Sequence, residues 1–228
     1  MGLAYQPLLF NFYYETHGNK EWAKAIEKEV GDIPVVFENS YRNAPMYSFY
    51  TDATPTFSLN NFMYRKNQYS INDSEEQVRG KDVAYVSKYL NNPTFTYTRE
   101  DDGLYKGKYI ANFQSFRKLD CIVADIPVAL NSEEDVDLKI YNPYQEDIDL
   151  KKLKFAITYM DHYKSPVETL QMTPESTQTG NTLLKEQDTT HFIFQLPKTK
   201  KENIGYFRVV ISENDLLYGL NGKAIPIK

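Results

Sequence analysis

Residues Val35 to Tyr69, VVFENSYRNAPMYSFYTDATPTFSLNNFMYRKNQY, contain the order of elements that decides the fold. The apolar, β-branched run Ile33 to Phe37 predicts a strand that is covered on both faces. Turn residues follow this strand, and Pro45 suits the first turn of a helix. Thr56 to Leu59 then predicts a second strand. This order of strand, helix and strand favours a small α/β layer structure.

The segments on either side of this stretch extend the α/β pattern. Asn19 is the predicted N-cap of a helix that Gly31 ends, and its apolar residues recur every four positions, at Trp22, Ile26 and Val30. Two further elements are predicted beyond the stretch, a weak helix at Ser74 to Val78 and a strand at Asp82 to Val86.

In the predicted middle helix, Met46, Phe49 and Tyr50 fall at i, i+3 and i+4 and so form one face. Aromatic residues at helical spacing lie in a core more often than on a binding surface. We therefore expect Tyr47, Phe49 and Tyr50 to pack rather than to bind a ligand.

From about Phe116 the hydrophobic pattern changes to period two, which is typical of half-buried strands. Asn221-Gly222 predicts a type I′ hairpin between Leu216 to Leu220 and Ala224 to Ile227. Apolar residues alternate with polar ones in four segments, 136–140, 153–159, 192–196 and 207–211. This half is predicted to be an antiparallel β-sandwich of roughly seven strands, immunoglobulin-like in size.

The two patterns together predict an α+β protein of two domains. Residues 1–116 are expected to form a small α/β layered domain, and residues 117–228 an antiparallel immunoglobulin-like β-sandwich. The connection between them is predicted near Phe113 to Asp120.

Composition and charge exclude several classes of function. The net charge of −5 and the scattered basic residues argue against nucleic acid as a partner. The single cysteine, Cys121, excludes an internal disulfide and any multi-cysteine metal cluster, and its apolar neighbours predict a packed thiol. His17, His162 and His191 are far apart in the sequence, so we expect no metal site from them and no cofactor.

Motifs for catalysis are also missing from the sequence. It contains no Gly-x-Ser-x-Gly elbow, no phosphate-cradling glycine-rich loop and no Gly-x-Gly-x-x-Gly fingerprint. The carboxylate pairs Asp101-Asp102 and Glu133-Glu134 lie in predicted loops, where charged loop tips are the simpler explanation. We therefore expect the chain itself to have no catalytic residue.

A polar and aromatic surface is the best candidate binding site in the sequence. Amides donate to and accept from sugar hydroxyls, arginine binds a phosphate or carboxylate, and tyrosine offers a flat apolar face. In parallel α/β sheets such groups gather beyond the carboxyl ends of the strands. The alternative is that the amides only satisfy the backbone of a long connection. The predicted substrate-binding residues are Tyr41, Arg42, Asn60, Asn61, Arg65, Asn67, Gln68 and Tyr69.

Several short sequence motifs resemble the extramembrane C-terminal region of Bacteroidetes membrane glycosyltransferases. These enzymes belong to the dolichyl-phosphate-mannose protein mannosyltransferase and aminoarabinose transferase superfamily. The resemblance covers most of the chain and is densest between about residues 20 and 86. It rests on the motifs Asn39-Ser40-Tyr41, Met46 to Thr51, Phe57 to Asn61, Arg65 to Tyr69 and Gly80 to Val83.

The resemblance implies a parent enzyme that moves a sugar from a polyprenyl-phosphate carrier at the periplasmic face of the inner membrane. The superfamily's catalytic acid lies in an early loop between membrane helices, so no catalytic residue is carried over to this chain. The implied partners are the transmembrane part of the parent protein and a glycan or polyprenyl-phosphate sugar. Leu8 to Tyr14 is then expected to follow the last membrane helix, where aromatic residues suit the interface.

Two other classes remain open at this point. One is a free-standing periplasmic carbohydrate-binding protein, because 19 tyrosines and 13 phenylalanines supply platforms on which sugar rings stack. The other is an envelope module whose β-sandwich docks another protein, which fold alone does not separate from the first. Apolar 20-residue segments encoded upstream favour the glycosyltransferase, and a signal peptide without them favours the free-standing protein.

Overall fold

The computed structural model describes residues 18–52, 55–99, 103–178 and 180–228. Within these ranges the chain is mostly β-strand, arranged in several sheets, with few helices. The predictions for Leu8 to Tyr14, His17 and Asp101-Asp102 lie outside the described residues.

Helix α1 spans Asn19–Val30, close to the prediction, but the residue that caps it differs. The N-cap is Gly18, in the left-handed region at φ 72°. Asn19 was wrongly assigned this role, because its carboxamide oxygen instead accepts a hydrogen bond from the Trp22 indole at 2.9 Å. Gly31 ends the helix as predicted, with φ 60° and its N–H donated to the Glu27 carbonyl at 2.8 Å.

The quoted stretch forms β1 (Val35–Glu38), α2 (Asn43–Thr51) and β2 (Thr56–Leu59). The prediction that Phe49 packs was wrong, since its side chain is 75% exposed. Tyr47 takes the buried position, with its ring centroid 5.8 Å from that of Phe37 in β1 and 6.4 Å from that of Trp22. The packed face of α2 is therefore set by its contact with α1 and β1.

A short 3-10 helix at Gln68–Ser70 and helix α3 (Ser74–Val78) lead to β3 (Val83–Ser87). β1 pairs in parallel with both β2 and β3, and Val35 to Phe37 are buried as predicted, whereas Ile33 lies before the strand and is 36% exposed. Parallel strands buried on both faces need helices above them, and α1 and α2 supply that cover on one face.

The sheet then continues with an antiparallel hairpin that the sequence analysis did not predict. β4 (Phe95–Arg99) and β5 (Gly103–Ile110) pair with each other, and β5 pairs with β3, which gives the strand order β2-β1-β3-β5-β4. Gly107 in β5 lies under the Phe95 ring, where a Cβ atom would stand 2.0 Å from the nearest ring carbon.

The four period-two segments are strands, as predicted. They are β7, β9, β13 and β14, and their alternate residues are buried in a shared core. The strands of this half are β6 (Asp120–Ile122), β7 (Asp135–Tyr141), β8 (Ile148–Asp149), β9 (Lys154–Met160), β10 (Pro166–Gln171), β11 (Glu175–Ser176), β12 (Leu183–Leu184), β13 (Thr189–Gln195), β14 (Tyr206–Ser212), β15 (Tyr218–Gly219) and β16 (Ile225–Pro226).

These strands form two larger antiparallel sheets. One has the order β10-β9-β14-β15, with β16 also paired to β14, and the other has the order β11-β13-β7-β6. β8 and β12 form a separate two-stranded pair. Side chains of both larger sheets, such as Leu138 and Phe192 from one and Ile157 and Val209 from the other, belong to a single buried cluster.

The predicted hairpin at Asn221-Gly222 was wrong. β15 and β16, on either side of it, both pair with β14 and not with each other. Asn221 is 3% exposed, and its carboxamide accepts from Ile211 N and donates to the Leu119 carbonyl, each at 3.2 Å. Because the buried Asn221 side chain bonds both Ile211 and Leu119, this segment packs between β14 and the chain before β6 and does not form a tight turn.

The described residues contain two hydrophobic clusters. The first runs from Trp22 to Phe113, and the second from Phe116 to Ile225. Gln114 joins them, because its N–H donates to Asn214 Oδ1 at 2.9 Å. The division of the chain into domains at residues 1–116 and 117–228 stays a prediction.

Candidate functional site

The carboxyl ends of β1 and β2 are tied together by the amides that the sequence singled out. Asn61 N donates to Asn39 Oδ1 at 2.8 Å, and Asn39 N donates to the Leu59 carbonyl at 2.9 Å. Asn60 is only 9% exposed, and its carboxamide oxygen accepts from the Ser58 hydroxyl at 2.8 Å. These amides therefore stabilise the strand ends.

Two of the predicted site residues support the backbone beyond β2. Asn67 caps the 3-10 helix, since its Oδ1 accepts from Tyr69 N at 2.9 Å. Tyr69 is 7% exposed and packs edge-on against Phe57, with 6.0 Å between ring centroids. Burial raises the pKa of the Tyr69 phenol, because it disfavours the charged form. A sugar ring has no access to the face of a tyrosine in this position.

The eight predicted residues do not converge on one concavity. Asn60, Asn61 and Arg65 line a small cavity of about 20 Å³, together with Arg117 from the second half. This volume suits a single water molecule rather than a sugar ring. The remaining five predicted residues lie outside the cavity, with Tyr41, Arg42 and Gln68 exposed, Asn67 half-buried and Tyr69 buried. A ligand role for any of the eight stays a prediction.

A much larger cleft lies where the two hydrophobic clusters meet, and the sequence analysis did not identify it. Its volume is about 710 Å³. α3 and the segment after it form one wall, and the loop after β7 forms another. Nearly all of its lining side chains are polar or charged. They are Asp73, Glu76, Arg79, Asn112, Gln114, Lys118, Tyr144, Gln145, Glu146 and Lys152, with Gly80 and Pro143 completing the lining.

The loop that forms the far wall is fixed by a buried asparagine. Asn142 is fully buried, and its amide donates to the Glu146 carbonyl at 2.9 Å and to the Leu184 carbonyl at 3.1 Å. Its Oδ1 accepts from Tyr144 N at 3.0 Å. Because both ends of this amide are used, the loop holds Gln145 and Glu146 at the mouth of the cleft.

Arg79 crosses the cleft from α3 towards this loop. Its guanidinium carbon lies 4.6 Å from the Tyr144 ring centroid and 5.4 Å from that of Phe116. Its Nη2 lies 2.8 Å from Glu146 Oε1. The two rings meet edge to face at 5.6 Å, so they form a corner that positions the guanidinium.

Beneath the cleft, a buried carboxylate connects the two hydrophobic clusters. Glu75 of α3 is 1% exposed, and its Oε1 accepts from Arg117 N at 2.7 Å and from the Ser115 hydroxyl. Its Oε2 accepts from the Tyr144 hydroxyl. Burial, followed by the negative charge of Glu75, raises the pKa of Tyr144 far above its usual range, so this phenol remains a donor.

A second buried carboxylate, Glu213, lies on the other side of Arg117. Glu213 Oε1 accepts from Phe116 N at 2.8 Å, and Oε2 lies 3.2 Å from Arg117 Nη2. Oε2 has no aligned hydrogen-bond donor in the described part of the chain, so the pairing is mainly electrostatic. Burial raises the pKa of Glu213, and the charge of Arg117 only partly opposes this rise. Glu75 and Glu213 therefore have a structural role, because they bind the backbone of the segment between the two hydrophobic clusters.

Other chemically active side chains lie apart from the cleft. Cys121 is buried, as predicted, and burial raises the pKa of its thiol. His162 is exposed in the turn after β9, and His191 is exposed on β13. Within the ranges that the structure describes, no group of histidine, cysteine or carboxylate side chains is arranged to hold a metal ion.

No family model matches this chain, and no curated protein matches it in sequence. Among solved structures, the archaellum periplasmic stator protein FlaG from Sulfolobus acidocaldarius is similar at 11% identity. The match covers 43% of this chain and 95% of that chain, with a TM-score of 0.27. A similarity at this level carries no argument about fold or function.

None of the helices in the four described ranges has the length and apolar character needed to cross a membrane.

Proposed function

We propose that this chain is a non-catalytic saccharide-recognition region of a polyprenyl-phosphate-sugar-dependent membrane glycosyltransferase. In this proposal it acts at the periplasmic face of the inner membrane, beside the transmembrane part of its parent protein. The sequence motifs that resemble this superfamily support the proposed family membership, and the cleft between the two hydrophobic clusters supports the binding role.

The polar cleft is the observation that carries the binding role. Its volume of about 710 Å³ lies within the range of small-ligand pockets, roughly 300–1,000 Å³. Gln145 offers an amide that both donates and accepts, and such groups match sugar hydroxyls. Gln114 Nε2 donates to the Asn112 carbonyl and to Asn112 Oδ1, each at 2.9 Å, so this pair presents mainly the Gln114 amide oxygen and the Asn112 amide nitrogen to a ligand. Asn142 and the aromatic corner at Arg79 fix the walls, so a ligand meets a site that is already formed.

Catalysis is assigned to the membrane part of the parent protein. Of the two buried acids, Glu75 accepts from Arg117 N and from the Ser115 and Tyr144 hydroxyls, and Glu213 accepts from Phe116 N and pairs with the Arg117 guanidinium. A general acid must reach the atom that it protonates, and these carboxyl groups are enclosed. The chain's own contribution is the recognition of the acceptor or the glycan.

The finer architecture of the second half belongs to the same proposal. We assign residues 117–228 to an immunoglobulin-like β-sandwich. Two antiparallel sheets that share one buried cluster support this assignment.

Titration calorimetry of the purified chain with neutral oligosaccharides tests the binding role. Gln145→Ala is expected to weaken binding by about threefold to tenfold, because it removes one hydrogen-bonding side chain from the cleft. Gln178→Ala is the matched control, since Gln178 is also exposed and does not line the cleft. Equal effects of both changes, or no binding of any oligosaccharide, would refute the proposal.

A free-standing periplasmic carbohydrate-binding protein has the same cleft and differs in what the gene encodes upstream. Several apolar 20-residue segments there support the glycosyltransferase, and their absence removes it. An envelope protein-interaction module is the second candidate function. The exposed apolar side chain that favours it, Phe49, lies in α2 and not in the β-sandwich expected to dock; it is 75% exposed and contacts Tyr50 edge to face at 5.0 Å. Under this alternative, Phe49→Ser abolishes capture by an envelope protein and leaves saccharide binding unchanged.

A further inference from the structure

Three cations line the cleft, and their present partners differ. Lys118 Nζ lies 3.1 Å from Asp73 Oδ1. Arg79 Nη2 lies 2.8 Å from Glu146 Oε1. Lys152 forms no ion pair with any carboxylate in the part of the chain that the structure describes. The lining carries three cations and three acids; Lys118 also lies 3.9 Å from Glu76 Oε1, so Lys152 is the cation that the acids of the described residues leave without a direct partner.

Arg79 is the most rigidly placed of the three cations. Its side chain is 16% exposed, and its guanidinium lies over both Tyr144 and Phe116. A planar guanidinium that is already held in place loses little conformational freedom when it binds an anion. Such a group is suited to bind a carboxylate or phosphate through parallel hydrogen bonds.

Glu146, in contrast, is a loosely held partner. Its side chain is 46% exposed, and within the described residues the ion pair with Arg79 is the one polar contact of its carboxylate. Ion pairs of this exposure are weak, equivalent to about a fivefold or smaller change in an equilibrium. A ligand anion that enters the cleft competes with Glu146 at little cost.

Lys152 adds a second positive group to the same region. Its Nζ lies 6.0 Å from the Phe116 ring centroid, and the guanidinium carbon of Arg79 lies 5.4 Å from the same centroid. Because Arg79 and Lys152 both line the cleft, an anion that enters it is attracted by both positive charges.

We propose that Arg79, assisted by Lys152, anchors the oxyanion of an acidic saccharide, and that the Glu146 carboxylate occupies the oxyanion position when the cleft is empty. The inference rests on the proposed saccharide-binding function and names the ligand class for the same cleft. The oxyanion is a sugar carboxylate or a sugar phosphate, which share the chemistry that Arg79 recognises.

Titration calorimetry at low ionic strength tests the anchor with three probes. They are an oligogalacturonate, a neutral oligogalactose of equal length, and inorganic phosphate. Glu146→Gln is expected to tighten oligogalacturonate and phosphate binding by about fivefold, because it removes the competing charge. Arg79→Gln and Lys152→Gln weaken both anions, the former by at least about tenfold, and leave oligogalactose unchanged.

Glu133→Gln is the matched control for Glu146→Gln. Glu133 is an exposed acid that pairs with Lys198 at 3.0 Å and does not line the cleft, so its loss changes the net charge equally. The anchor is overturned if both glutamine variants tighten anion binding alike, or if oligogalactose binds as tightly as oligogalacturonate. Arg79-dependent phosphate binding without saccharide binding supports the anchor and overturns the proposed function. Lys152→Gln keeps the test decisive if Arg79→Gln does not fold.

Discussion

Arg117→Met is expected to destabilise the protein strongly, because it leaves the Glu213 carboxylate buried without a cation. Arg117 is 7% exposed and Glu213 is 1% exposed, and their charged atoms lie 3.2 Å apart. Removing one partner of such a buried pair costs about 3–5 kcal/mol in the free energy of unfolding. The change also removes donors from the carbonyls of Ile211 and Leu217, at 3.3 and 2.9 Å.

The double variant Arg117→Met/Glu213→Gln separates the charge effect from the loss of packing. Glutamine keeps an acceptor for Phe116 N and carries no charge. The double variant is therefore expected to be less destabilised than the sum of the two single variants by at least about 1 kcal/mol. Lys198→Met, which breaks an exposed ion pair, serves as the comparison and is expected to leave stability almost unchanged.

Urea unfolding measures these differences with two probes. Trp22 fluorescence reports on the first hydrophobic cluster, and far-UV circular dichroism reports on the strands of both halves. Because Arg117 lies at the junction, both transitions are expected to shift together. A loss of less than about 1 kcal/mol in Arg117→Met, or strictly additive single variants, would refute the role assigned to the buried pair.

Three further predictions concern the second half of the chain. Gly219→Ala is expected to lower the free energy of unfolding by about 1–3 kcal/mol, because its Cβ would stand 2.0 Å from Arg117 Nη1; unchanged thermal stability contradicts this. Cys121 is expected to react with a thiol reagent only in denaturant, because burial raises its pKa and blocks access, and fast labelling of the native protein contradicts this. Burial raises the pKa of Glu213 above 4.5, so its contribution to stability is present below that pH and is lost as the pH rises through the folded-state value. The free energy of unfolding of the wild type is therefore expected to fall relative to that of Glu213→Gln as the pH rises above about 4.5, because glutamine does not ionise. A pH-independent difference between the two proteins would contradict this.

Much of the strand pattern was predictable because β7 and β13 bury one face, and because the large apolar residues of β9 and β14 also alternate although these two strands are covered more completely. Burial on one face imposes period two, so Leu138 and Ile140 of β7 indicate their strand without any knowledge of its partners. The β4–β5 hairpin carried a similar signal in Phe95 and Tyr97, which the prediction overlooked.

Tertiary contacts decided the exposure of Phe49, and a local capping contact decided the structural role of Asn67. The exposed position of Phe49 follows from Tyr47, which fills the space between Trp22 and Phe37. Local capping determined the role of Asn67, because a carboxamide two residues before a free N–H satisfies it more readily than a distant ligand does.

The cleft was not predictable from spacing, because its walls come from both halves of the chain. Its lining residues extend from Asp73 to Lys152, and they come from separate helices and loops that no single hydrophobic period connects. Asn142-Pro143 is a turn signal in the sequence, and it is the nearest indication of the loop that forms one wall. A buried asparagine that fixes such a turn becomes evident only when Leu184 lies beside it.

Amide chemical-shift mapping during a saccharide titration tests the central claim most directly. The experiment follows backbone and side-chain amides of the isotope-labelled chain as an oligosaccharide is added. We expect the largest shifts at Asn112, Gln114 and Gln145, with smaller ones at Asn61 and Phe49. Shifts centred on Asn61 and Arg65, or on Phe49 and α2, or no shifts at all, would contradict a saccharide site in the cleft.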